Sequence, residues 1–331
     1  MITLGIESSC DETSVAVVKD GREILSNIIS SQIEIHRLFG GVVPEIASRK
    51  HVSAILPVID LALEEAKITL DDVDIIAATR GPGLIGALLV GLTAGRGLAL
   101  ATGKPFVGVN HIRGHVCANY LTHPNLEPPF VGLIVSGGHS YLIHVEDYID
   151  FTLYGKTRDD AAGEAFDKVA RAMEIGYPGG PVIDKLAKEG EETYDLPRVM
   201  LERDSYDFSF SGLKTAVLNE LNNAKQKGEE IRVADMATSF QNAVVDVLTE
   251  KTYRLAHELG EKKIVLAGGV SANSGLRAAM EKRGAEEGIE VYYPDPVLCT
   301  DNGAMIASVG YYSYMKGEDE SVFADPNLGL D

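Results

Sequence analysis

Leu4-Gly5-Ile6-Glu7-Ser8-Ser9 decides the fold, because its outline returns about 130 residues later as Leu133-Ile134-Val135-Ser136-Gly137-Gly138. Each is an apolar run that breaks at small polar residues. A second apolar run answers each of them, at 13–19 and at 141–145, and Asp20-Gly21 closes the first as a hairpin turn. Two short hairpins alike by chance would look the same. A duplication predicts two α/β domains facing one another. Outward from these units, helical spacing over 46–66 places Ile55, Ile59 and Leu63 on one face, with Pro57 kinking the helix or marking its true start. Strands are predicted at 73–79, 106–109, 263–267 and 291–293. Helices are predicted at 84–101, 161–173, 182–188, 212–222, 233–259, 274–283 and 302–315. Strands alternating with helices in this way give mixed sheets in an α/β protein.

The chain has 331 residues, 45% of them hydrophobic, which is enough for two cores. Cys10, Cys117 and Cys299 lie too far apart for a disulfide scaffold and point to a reducing compartment, the cytoplasm. The longest uncharged stretches, 128–145 and 81–95, are broken by small polar residues or too short to span about 30 Å of bilayer. No basic leader precedes the first strand. A net charge of −19 counts against a general nucleic-acid binder, because phosphates are held mainly by Lys and Arg. Tryptophan is absent and aromatics are 7%, so no stacking platform for single strands is advertised.

Three small-residue loops follow strands: residues 8–12, residues 136–139 and residues 268–273. Such loops let backbone N–H groups approach a phosphate; none is a Walker loop and each alone reads more readily as an ordinary tight turn, but three in one chain favour a nucleotide or phosphate site. Asp11 and Glu12 stand at the first loop, either as a solvated turn or as carboxylates working through a metal, a water or a substrate hydroxyl. His111 and His115 share one helical face at a metal-ligand spacing, without the glutamate of a zincin protease. Spacing alone nominates no third ligand. Asp167 sits in an apolar stretch of a helix otherwise acidic at its start, and could hold ribose hydroxyls. Tyr177-Pro178-Gly179-Gly180-Pro181 is a rigid loop, with Asp184 one turn further on.

Taken together, the motifs at 5–13, 40–49, 81–84, 111–115, 135–139, 160–168, 208–214, 267–273 and 300–307 resemble the TsaD family, also called Gcp, in order over nearly the whole chain. The resemblance implies the two-lobed fold of actin, the sugar kinases and the heat-shock chaperone ATPases. On that basis one lobe is expected at 1–109 plus about 306–331 and the other at 110–305, with metal and nucleotide sites at their interface. It also implies transfer of threonylcarbamoyl from threonylcarbamoyl-adenylate to N6 of adenosine 37 in tRNAs reading codons that begin with A. The implied partners are the paralogue TsaB and the ATPase TsaE. The implied metal is iron, with zinc as the alternative, on His111, His115 and Asp301. The implied substrate-binding positions are Ile134, Val135, Ser136, Gly137, Gly138, Asp167, Gly180, Asp184 and Asn273. By their placement at the first loop, and not from the resemblance, Asp11 or Glu12 is expected to accept a proton from the amine or to position it. Because the chain is acidic, tRNA contacts would be borrowed from partners or fall to local groups: Arg49-Lys50-His51, Arg113, and Lys156 with Arg158. A kinase of the same fold leaves the histidine pair without a purpose, and a nucleotide-switched binding module would need an extension that the sequence does not supply.

Overall fold

The computed structural model describes residues 1–201, 205–318 and 323–330. It divides into two units, Met1–Pro128 with Glu146–Phe151 and Pro294–Asp331, and Pro129–Val145 with Thr152–Tyr293.

The first unit opens with β1 (Ile2–Glu7), β2 (Glu12–Lys19) and β3 (Glu23–Ser31), then α1 (Ile33–Arg37), α2 (Pro44–Ala66), β4 (Ile75–Gly81), α3 (Ile85–Thr102), β5 (Phe106–Asn110) and α4 (His111–Thr122). Asp20 and Gly21 both take positive φ, 50° and 67°, as a two-residue hairpin turn requires. The sheet order is β3-β2-β1-β4-β5, antiparallel at β1–β2 and β2–β3, parallel at β1–β4 and β4–β5. Leu4 and Ile6 face a core completed by Ile55 and Ile59 of α2 and Leu92 of α3. Gly5 points to the opposite face, since strand side chains alternate. A Cβ there would lie 2.3 Å from the Ala307 amide nitrogen, so this face admits a helix only at backbone contact. Pro44, not Pro57, starts α2, and the helix runs through Pro57 on its exposed side. Among the described residues α3 is the one helix long and apolar enough to cross a membrane. It packs against β1, β4 and β5 through Leu88, Gly91, Leu92 and Gly95 as a core helix of this unit.

The second unit holds β6 (Phe130–Val135), β7 (Ser140–Asp147), β8 (Asp150–Lys156), α5 (Ala162–Ala172), α6 (Gly179–Leu186), α7 (Ser211–Lys227), α8 (Val233–Leu259), β9 (Lys263–Ala267), α9 (Ser274–Glu287) and β10 (Glu290–Tyr292). Its order, β8-β7-β6-β9-β10, repeats that of the first sheet, antiparallel at β6–β7 and parallel at β6–β9 and β9–β10. The duplication expected from the two loops is therefore present at the level of topology. Val131, Leu133 and Val135 face Phe166, Phe240, Val244 and Leu248 in one core. The chain then returns to the first unit with α10 (Pro296–Cys299) and α11 (Gly303–Lys316).

The division falls differently from the expected 1–109/110–305 split. Helix α4 is buried along most of its length, and Gly114 lets it approach Ile306 and Met305 of α11, where a Cβ would lie 3.1 Å from Ile306. That packing keeps α4 and residues 294–305 with the first unit. The short elements α1, β8 and α10 were not foreseen.

Candidate metal centre and phosphate loops

Strand β5 ends at Asn110, whose side-chain oxygen accepts from the amides of Ile112 at 2.8 Å and Arg113 at 3.3 Å and so caps α4. His111 is thereby the first residue of α4, and His115 lies one turn on, with the rings 4.7 Å apart. Asp301 reaches them from the turn between α10 and α11. Asn302 fixes that turn, donating to the Thr300 carbonyl at 2.8 Å and accepting from the Met305 amide at 2.9 Å. The Nε2 atoms of both histidines stand 3.4 Å from the same Asp301 oxygen. One ligand atom from each of the three residues lies within 4.8 Å of the others. These histidine–carboxylate distances are long for hydrogen bonds, whereas two imidazoles and a carboxylate suit zinc or ferrous iron. His115 Nδ1 is buried with no hydrogen-bond partner among the described residues, so the directed interaction of that ring is through Nε2. The residues fit a divalent cation.

Sequence reading missed Glu7. It ends β1, fully buried, with Oε2 accepting from the Thr79 hydroxyl at 2.7 Å and meeting His111 Nδ1 at 2.8 Å. Its other oxygen accepts from the Ser9 amide. Burial would raise the Glu7 carboxyl, but the His111 ring outweighs it and holds the group below the usual carboxylate range. Burial likewise works to lower His111, yet Asp301 and Glu7 raise it well above the ordinary histidine range. A carboxylate on Nδ1 orients the ring and leaves Nε2 to a cation. The available signal was a charge closing an otherwise buried, apolar strand.

Glu12, the first residue of β2, accepts from the Ser31 hydroxyl at 2.9 Å. Burial, then Asp301, then Asp11 push its carboxyl up to about 9. Asp11 hydrogen-bonds it and extends the same carboxylate group.

In the second unit the loops lie at the carboxyl ends of the parallel strands β6 and β9, where open α/β sheets bind ligands. Gly268 takes φ 82° and ψ 168°, and a Cβ would lie 2.5 Å from the Val135 carbonyl oxygen. The Gly163 amide donates to the Ser136 carbonyl at 3.1 Å. The loop is thus clamped from two sides. By contrast, Gly137, Gly138, Gly180 and Gly269 have open space where a Cβ would point. Ile134 and Val135 are fully buried, so their side chains belong to the core.

The four polar substrate candidates all have work in the fold, Ser136 accepting from the His139 amide through its hydroxyl at 3.2 Å. Asp167 accepts from the Gly179 amide at 2.7 Å, and burial raises its carboxyl. Asp184 accepts from the Ser274 hydroxyl at 2.8 and 3.0 Å and from the Ser274 amide at 3.1 Å. Asn273 caps α9 through the Leu276 amide at 2.9 Å and donates to Gln241 at 2.7 Å.

The basic groups proposed for tRNA fare unevenly. His51 is fully buried and hydrogen-bonded at both ring nitrogens, with burial lowering its pKa. Arg49 pairs with Glu45 at 2.7 Å, Arg113 with Glu318 at 2.9 Å and Arg158 with Asp207 at 2.7 Å. Lys50 and Lys156 have no side-chain ion pair among the described residues.

Among solved structures, component A of the (R)-2-hydroxyglutaryl-CoA dehydratase of Acidaminococcus fermentans matches with TM-score 0.56 at 19% identity, covering 95% of this chain and 99% of that one. Full-length HypF matches with TM-score 0.63 at 16% identity over 97% of this chain and 47% of that one. These likenesses establish the actin-like two-sheet fold. In sequence, proteins named tRNA N6-adenosine threonylcarbamoyltransferase from Clostridium beijerinckii and Clostridioides difficile are each 57% identical, covering 99% and 100% of this chain and 98% of theirs. The family model described as TsaD, tRNA N6-adenosine threonylcarbamoyltransferase, matches residues 23–308. With relatives this similar over their full length and the fold to match, the chain belongs to the TsaD family of transferases that modify adenosine in tRNA.

Proposed function

We propose that the chain moves a threonylcarbamoyl group from threonylcarbamoyl-adenylate to N6 of adenosine 37, in tRNAs reading codons that begin with A. The N6 amine attacks the carbamoyl carbonyl carbon, the bond from that carbon to the phosphate oxygen breaks, AMP leaves, and the amine loses one proton. The cluster of buried His111 and His115 with half-buried Asp301 carries the reading, because a kinase has no use for it. A divalent cation there, iron or zinc, would polarise the carbonyl and oppose the carboxylate repulsion that raises Glu12. The residues themselves bind and orient. Glu7 holds the His111 ring, and the open glycines at 137, 138, 180 and 269 offer backbone N–H groups to the adenylate phosphate. Asp167 and Asp184 take the ribose hydroxyls with whatever acceptor capacity their fold contacts leave. Asp11 or Glu12 accepts the proton.

TsaB and TsaE are the proposed partners, and the cytoplasm the proposed location. Val52 and Leu56 of α2 and Ile85 and Leu89 of α3 are exposed on two helices that pack together, an apolar surface of the kind partners cover. With Arg49, Arg113 and Arg158 each in an ion pair, the chain alone is expected to bind tRNA weakly and to rely on partners for affinity. The test supplies preformed adenylate and tRNA to the chain with and without partners and looks for modified adenosine by mass spectrometry of the nucleosides. Modified adenosine from wild type but not from His111→Ala/His115→Ala supports the reading. Equal product from both removes the metal cluster from it.

A further inference from the structure

Three consecutive carbonyls in the loop between β1 and β2 are each tied down by a different element. The Leu84 amide, at the start of α3, donates to the Ser9 carbonyl at 2.8 Å. The Gln32 amide, at the start of α1, donates to the Asp11 carbonyl at 3.0 Å. Between them, His51 of α2 places Nε2 2.9 Å from the Cys10 carbonyl oxygen. Two of the three donors are backbone, and His51 is the only side chain.

A carbonyl only accepts, so Nε2 carries the hydrogen, and in the neutral ring Nδ1 must accept. Thr13 Oγ1 lies 2.8 Å from Nδ1 and donates to it. Thr13 and His51 are both fully buried, and Thr13 follows directly on Glu12. The threonine therefore selects the tautomer, and the histidine holds the loop. Such a tie is needed there. Residues 10–12 bring Asp11 and Glu12 together beside Asp301, and carboxylates so gathered repel one another once ionised.

We infer that His51 is a positioning residue, which with Thr13 holds residues 10–12 so that the Asp11 and Glu12 carboxylates face the transfer reaction. The inference rests on the proposed transfer for its kinetic consequence, but the position of the loop can be read without it. Cys10 is half-buried in the held segment, whereas Cys117 and Cys299 are buried, so alkylation of Cys10 by iodoacetamide reports the tie.

The experiment compares His51→Ala, His51→Gln and His51→Asn in the full chain. Glutamine places an amide N–H near the position of Nε2, and asparagine places its own nearer Nδ1. Cys10 alkylation should accelerate in His51→Ala and His51→Asn and return toward wild type in His51→Gln, with metal content unchanged in all three. With partners, adenylate and tRNA, the single-turnover transfer rate should fall on the order of a hundredfold in His51→Ala, with little change in adenylate affinity, and recover in His51→Gln. The His51→Ala/Glu12→Gln double variant should be no slower than the worse single variant. Alkylation that is the same in wild type and His51→Ala overturns the inference, as does equal acceleration in all three variants. Restored alkylation in His51→Gln beside an unaffected transfer rate in His51→Ala and Glu12→Gln keeps the tie and overturns the catalytic assignment of the carboxylates.

Discussion

The two units build the same five-stranded sheet in the same order, yet they end their first hairpins in opposite chemistry. In the first, β1 closes on a buried carboxylate, Glu7, and the loop beyond it carries Ser8, Ser9, Cys10 and Asp11. Its polar side chains are tied: Ser8 donates to the Ala87 carbonyl at 2.9 Å and Glu7 meets His111. In the second, β6 closes on Val135, and the loop offers Ser136, Gly137 and Gly138, two glycines with open space around them. One loop presents side chains and the other presents backbone. The lesson is that a duplicated sheet fixes where a site stands, while the residues past the strand end decide whether it works by ionisable groups or by N–H donors.

The sharpest way to break this comparison is to add a side chain where the turn after β9 clamps the second loop. Gly268→Ala puts a methyl 2.5 Å from the Val135 carbonyl oxygen, in a backbone region open essentially only to glycine. It should lower stability by roughly 1–3 kcal/mol for the backbone alone, with overpacking adding to this. Gly137→Ala should stay within about 0.5 kcal/mol by thermal unfolding. Equal losses in the two would show that the loop is not built as described. On the other side, Glu7→Gln keeps the shape but weakens the hold on His111. Affinity for added zinc should fall about ten- to a hundredfold by competition with a chelator, and an unchanged affinity would detach Glu7 from the metal site.

Asp167→Ala probes whether an acidic group in the second unit serves ligand or fold. The lost contact to a ribose hydroxyl should reduce AMP affinity by roughly 1.5–3 kcal/mol in calorimetry. Losing the bond from the Gly179 amide should also lower the unfolding midpoint. A lower midpoint with full AMP affinity would leave Asp167 a fold residue.

The remaining expected effect is one of pH. The folded state holds a proton on Glu12 up to about 9, while in the unfolded chain the group ionises near 4.5. Folding therefore takes up a proton between these values. The stability this group contributes is fully present at the acid end and is lost as pH rises toward about 9. In metal-free protein, Glu12→Gln should flatten the decline of the midpoint across that window. A slope identical to wild type would mean that Glu12 ionises normally.

Much of this was legible in the sequence because the signals are local. Apolar runs mark strands, Asp20-Gly21 demands its turn, and His111 and His115 meet by helical spacing. What failed was what depends on packing. Spacing gives no route from His115 to Asp301, which entered through the family resemblance and not through the chain's own pattern. His51 was grouped with Arg49 and Lys50, but the helix turns about 100° per residue, and that rotation carries it from the solvent to the core. Glu7 read as a strand residue because nothing in its neighbours announces the imidazole that compensates its burial. The domain boundary slipped because α4 is claimed by α11, a helix nearly two hundred residues further along.

The division of labour between the two loops requires that the first unit hold a cation through its own side chains. Elemental analysis of the purified wild type beside His111→Ala/His115→Ala tests this most directly, both checked for a folded thermal transition. Stoichiometric iron or zinc in the wild type and none in the variant is the predicted result. Stoichiometric metal retained in the variant would contradict it.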